Sequence, residues 1–119
     1  MSQLLGNAFA AELDWTPKTP EFRTGARYLD GITADTAVDV WGAEVGEYDG
    51  VTADEIFVVL EGKAEVTFHR TGETIAIGPG DVVRLFARDT CTWRTIETIR
   101  KVSFYVPPAV VPVESSVSD

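Results

Sequence analysis

The feature that most constrains this chain is a strand-and-turn rhythm. From residue 37 to residue 106, short runs rich in β-branched and aromatic residues alternate with turn signals built on glycine, proline and acidic residues. No stretch carries an apolar stripe at helical spacing of useful length. Ala37–Val45 alternates for part of its length and is rich in Val and Trp, as a strand should be. Gly46–Thr52 reads as a loop. Glu55–Leu60 is a nearly continuous apolar run that suits a strand covered on both faces. Glu61-Gly62 punctuates it, and Lys63–Phe68 alternates as a half-exposed strand does.

Arg70-Thr71-Gly72-Glu73 signals a hairpin, with Thr74–Ile77 pairing back. Gly78-Pro79-Gly80-Asp81 is a tight turn. Val82–Phe86, Thr92–Ile96 and Arg100–Val106 complete the set, and Pro107-Pro108 ends it because neither can donate to a ladder. Such spacing predicts an all-β sandwich or barrel over residues 28–108. Residues 1–27, with Pro17 and Pro20, read as an N-terminal arm that is extended or carries one short helical turn. Residues 109–119 read as a peripheral tail.

A chain of 119 residues fits one such domain. The net charge of −9 argues against nucleic acid, which needs clustered Lys and Arg, and equally against an anionic membrane surface. A locally basic pocket for an anionic ligand stays compatible with it. No apolar run approaches a membrane span, and the apolar N-terminus lacks a basic leader region, so the expected location is cytoplasmic. The single cysteine, Cys91, excludes an intramolecular disulfide and fits a reducing compartment.

The motifs are ordered. Glu55 and Gly62 are separated by six residues; Gly72-Glu73 marks the hairpin; Gly78-Pro79-Gly80-Asp81 follows; then come Trp93 and Arg100-Lys101. Together they resemble the cupin superfamily, in particular the branch of ureidoglycine aminohydrolase and ethanolamine-utilisation cupin domains. The resemblance covers roughly residues 37–106. It implies a jelly-roll or double-stranded β-helix barrel preceded by the arm, a ligand site in the barrel mouth and a homodimer. The family's usual metal site is three His and one Glu. In the first motif the two His places fall on Asp49 and Val51 or on Tyr48 and Gly50; in the second, the Pro and His places fall on Phe86 and Cys91. Only Glu55 stands unchanged.

Each candidate has two readings. Glu55 is either an inward acid/base or ligand anchor, or an exposed strand-entry residue beside Asp54. Cys91 is a soft ligand or nucleophile, or a small buried hydrophobe. A divalent metal held by Glu55 and Cys91 alone would be under-coordinated, with Tyr48 and Asp49 the remaining oxygen donors, so no cofactor is implied. His69, the single histidine, reads as a turn residue. Arg84 either shares the inward face with Val82 and Phe86 or faces water. Lys101 is an inward amine by the resemblance, and an Arg94–Glu97 or Lys101–Glu55 pair would serve structure equally well. Phe57, Val59, Phe86, Trp93 and Tyr105 line or plug the barrel, as a pocket wall or as plain core packing, the latter favoured for Phe57 and Val59.

Three functions remain open. One is a metal-independent protein binding a small polar or anionic molecule between Glu55, Arg84 or Lys101 and the aromatic wall. Another is an isomerase, lyase or amidohydrolase-like enzyme with Glu55 as acid/base, assisted by Tyr48, Cys91 or Lys101. The third is a non-catalytic dimeric partner or regulatory subunit.

Overall fold

The computed structural model describes residues 3–30 and 37–106. Eight strands account for most of them: β1 (Asp14–Thr19), β2 (Phe22–Asp30), β3 (Ala37–Ala43), β4 (Gly46–Val51), β5 (Glu55–Phe68), β6 (Thr74–Ile77), β7 (Val82–Leu85) and β8 (Thr90–Tyr105). Among the described residues there is no helix, and hence none long and apolar enough to cross a membrane.

The strands join in the order β1-β2-β3-β8-β5-β6, with β4 also on β8 and β7 also on β5, every pair antiparallel. The two longest strands organise the rest. The first half of β5 pairs with β7 and its second half with β6; the first half of β8 pairs with β4 and its second half with β3. Because β5 and β8 also pair with each other along their length, the sheet folds over on itself around one core. Phe57, Val59, Val66, Trp93 and Ile99 fill that core and are nearly or fully buried.

Four local readings change. Gly46–Thr52 is not a loop, since Gly46–Val51 is β4, paired with Thr90–Thr95. Its glycines mimic a turn signal but answer to crowding. A Cβ on Gly46 would lie 2.5 Å from the Phe22 ring, and one on Gly50 would lie 3.2 Å from Tyr48 Cε2. Glu61-Gly62 does not end a strand. It sits within the irregular register of β5 between Val59 and Ala64. The segments 92–96 and 100–106 are one strand, β8. Within the N-terminal segment, β1 and β2 form a hairpin that extends the sheet at β3, so 14–30 belong to the sheet.

Residues before β1 are held by the barrel. The Arg100 guanidinium donates to the carbonyls of Ala8 (3.0 Å) and Ala11 (2.9 Å), and Arg27 Nε donates to that of Glu12 (2.7 Å). The proposed boundary at residue 27 therefore falls inside β2, and the tail lies outside the described residues.

Candidate functional site

Alternation along each strand decides which side chains enter the barrel. On β5 these are Glu55, Phe57 and Val59; on β8, Cys91, Trp93, Lys101 and Ser103, all buried, with half-buried Tyr105 in phase. The register sets Glu55 opposite Tyr105 and Leu85, Phe57 opposite Ser103, Trp41 opposite Lys101, and Tyr48 opposite Trp93. A cavity of about 190 Å³ results, walled by Trp41, Tyr48, Leu85, Trp93 and Tyr105, with Glu55, Cys91 and Lys101 at its polar side and Gly50–Ala53 along it.

At its centre is a buried ion pair. Lys101 Nζ donates to Glu55 Oε2 at 2.8 Å and to Ser103 Oγ at 3.0 Å. It also sits 4.0 Å from the Phe57 ring centre and 4.9 Å from that of Trp41, so both rings meet the ammonium. Both members are only 5–6% exposed. Burial pushes the Lys101 pKa down, while Glu55 and Asp39 oppose that shift. Trp93 packs edge-on against Trp41 at 5.0 Å and satisfies its indole N–H on Thr95 Oγ1 at 3.0 Å.

Asp39, Trp41 and Ser103 complete the cluster, and reading the sequence missed all three. Asp39 shares the inward face of β3 with Trp41. Tyr105 donates to its Oδ2 at 3.4 Å, while Oδ1 is buried without a partner. Burial first, and then Glu55, raise the Asp39 pKa to about 6, against the pull of Lys101. Burial likewise pushes the Tyr48 phenol up to about 12 and raises the Cys91 thiol and the Tyr105 phenol. Those three groups are neutral donors at neutral pH.

The Asp39 shift has a defined sign. The folded-state pKa lies above the unfolded value, so the folded form holds the proton more tightly. Stability from this group is greatest below about pH 4 and is lost as pH rises through about 6. Asp39→Asn removes that loss. Relative to the parent, the variant is expected to gain about 2 kcal/mol between pH 4 and pH 7.5. Urea unfolding at both pH values measures this, and an offset that stays constant contradicts it.

The remaining candidates separate cleanly. Glu55, Tyr48, Cys91, Lys101, Trp93 and Tyr105 line one cavity, and Phe57 lies beneath it in the core. Arg84 and Phe86 do not reach it. Arg84 pairs with outward Ile56, stacks its guanidinium 4.6 Å from the Phe86 ring and faces Asp54 at 3.5 Å, and Phe86 is 54% exposed. Inward Val83 and Leu85 carry the buried phase of β7 instead. Arg94 pairs with Glu65 at 2.9 Å and Lys63 with Glu97 at 3.8 Å, in place of Arg94 with Glu97. These pairs border a wider groove of about 570 Å³ whose Lys, Glu and Arg are thus partnered with one another or with Glu97. His69 bridges Thr90 and Thr92 at the hairpin end.

A cupin metal does not fit these residues. Alternation on β4 turns Tyr48 and Gly50 inward and Asp49 and Val51 outward, so neither inward position of the first motif offers an imidazole. The Tyr48 ring lies over Gly50, in the space a second ligand side chain would need. Glu55 already accepts from an ammonium, and Cys91 is held as a thiol. Among the described residues no three His, Cys, Asp or Glu side chains converge.

The sequence profile of the EutQ-like cupin domain matches residues 34–102. No curated protein sequence matches the chain. Among solved structures, the EutQ protein of Clostridium difficile superposes with a TM-score of 0.66 at 13% identity, over 74% of this chain and 71% of that one. The Cnp3 cupin domain of Schizosaccharomyces pombe gives 0.67 at 17%, over 95% and 80%. A DUF861 family protein of Thermotoga maritima gives 0.51 at 34%, over 56% and 75%.

Proposed function

Because the chain belongs to the EutQ-like cupin domain family, we propose that it binds a small polar molecule inside the barrel without a histidine-based metal centre. The carrying observation is the Glu55–Lys101 pair, buried at 2.8 Å yet facing a cavity with aromatic walls. Apolar walls with a few convergent polar groups are what a small-molecule site requires. Lys101 supplies the positive charge beside Glu55 that a metal supplies in other cupins, while Trp41 and Trp93 offer flat surfaces to the ligand's apolar body.

The test is a fragment titration of EDTA-treated protein, followed by chemical shifts of the Trp41 and Trp93 indole N–H groups. Binding is expected to survive chelation. It is expected to weaken about tenfold or more in the double variant Glu55→Gln/Lys101→Met, which removes both charges together. Binding that needs added metal, or is unchanged in the double variant, overturns the reading.

Proton transfer is the second reading, favoured by the direct contact of Glu55 with Lys101 and by Tyr48 and Cys91 in the same cavity. Glu55 would then move the proton and Lys101 would hold its charge.

The outer faces of β5, β7 and β8 support a homodimer. Ile56, Val58, Val102, Phe104 and Val82 form a contiguous apolar set across paired strands, with Phe104 and Val82 exposed. Sedimentation is expected to give twice the chain mass, reduced to one chain by Phe104→Lys. A monomeric parent contradicts the pairing.

A further inference from the structure

We propose, resting on the reading of the interior cavity as a binding site, that its ligand class is a small organic cation bearing N–H donors. A carboxylate or phosphate would have to compete with Glu55 and Ser103 for the one ammonium. Lys101 has three N–H bonds. One goes to Glu55 Oε2 and one to Ser103 Oγ, and the ammonium stands 4.0 Å over the Phe57 ring. Two of the ammonium's three N–H bonds are therefore committed inside the cluster, and its charge is already met by Glu55 and the ring.

Acceptors are in surplus. Glu55 and Asp39 supply two carboxylates against one ammonium. The described residues give Glu55 Oε1, which faces the cavity, no hydrogen-bond partner. Asp39, 2% exposed, does not line the cavity and adds negative charge close to the pair rather than a contact. An acceptor at the cavity wall without a partner is satisfied best by a donor on the guest. Among the described residues, the other titratable groups facing the cavity are Tyr48, Cys91 and Tyr105, none of them cationic. Asp49 and Asp89 add negative charge near Cys91. The walls agree with the charge: Trp41, Tyr48, Trp93 and Tyr105 present π faces and edges to a guest, and such rings attract cations. A cavity of about 190 Å³ matches roughly six water volumes, which sets the size of the guest.

The test uses three probes of one shape, cyclopentylamine, cyclopentanol and cyclopentanecarboxylate, titrated at pH 7.5 into the full chain and read by indole N–H shifts. The amine is expected to bind about tenfold or more tighter than the alcohol, the effect of one charge-assisted hydrogen bond, and the carboxylate more weakly than either. Asp39→Asn, which removes one of the two negative charges beside the ammonium, is expected to narrow the amine's advantage over the alcohol severalfold. The three-probe comparison stands on the parent protein alone if that variant does not fold. A carboxylate that binds as tightly as the amine overturns the cation and leaves the binding site standing. Absence of binding by all three overturns both.

Discussion

Lys101→Met is expected to cost about 3–5 kcal/mol of folding stability at neutral pH, among the largest effects of any single substitution in this chain. The side chain keeps its length, so the loss is not one of volume. It comes from leaving the Glu55 carboxylate in the barrel without its ammonium, and Ser103 without its donor. Glu55→Gln removes the other half and is expected to cost somewhat less, because Asp39 remains near Lys101 to share its charge. The double variant Glu55→Gln/Lys101→Met removes both charges and should recover most of the loss. Buried ion pairs often do no better than apolar replacements once both partners go. Urea unfolding of the four proteins forms the cycle. A Lys101→Met loss below about 1 kcal/mol would place the pair in water, as expected of exposed pairs.

Gly62→Ala is expected to be comparably severe, at about 3 kcal/mol or more. Gly62 has φ of +90°, a region side chains rarely enter. A Cβ there would collide with the Thr98 carbonyl oxygen and come within 2.5 Å of Ile99 Cα. Both belong to the backbone of β8, the strand on which the barrel closes, so neither can swing aside. Gly72 is the control. Its φ is also positive, at +76°, but a Cβ would meet nothing within 4 Å. Gly72→Ala should therefore cost only about 1–2 kcal/mol. Equal midpoint shifts for the two variants would remove the steric argument. The same geometry explains why a Glu and a Gly keep fixed spacing here: one ends inside the barrel, and the other lets β5 pass close to β8.

The strand rhythm made much of the barrel legible, because turn residues at 70–73 and 78–81 and the alternation of β5 are local signals. Arrangements that depend on distant partners were not. β4 looked like a loop because its glycines answer to Phe22 and Tyr48, one of them far away in sequence. The β1–β2 hairpin has little periodicity of its own and is held by pairing with β3.

In the site, Glu55, Tyr48, Cys91, Lys101, Trp93 and Tyr105 could be picked out as candidates, and the structure gathers them. Counting from Val82 puts Arg84 and Phe86 inward and counting from Val83 puts Arg84 in water; local spacing does not choose, and the buried phase of β7 runs through Val83 and Leu85. Asp39 escaped notice because a nearly fully buried aspartate is improbable from composition alone. The available signal was Trp41 two residues on, which shares its face.

Lys101 stands beside the one carboxylate that a cupin metal would use. A crystal grown with excess zinc, with anomalous scattering measured at the zinc edge, decides whether the ammonium or a metal holds that carboxylate. The expected result is Lys101 Nζ within hydrogen-bond distance of Glu55 and no anomalous peak at that carboxylate. A peak about 2.0–2.2 Å from a Glu55 oxygen, with Lys101 turned away, would contradict it.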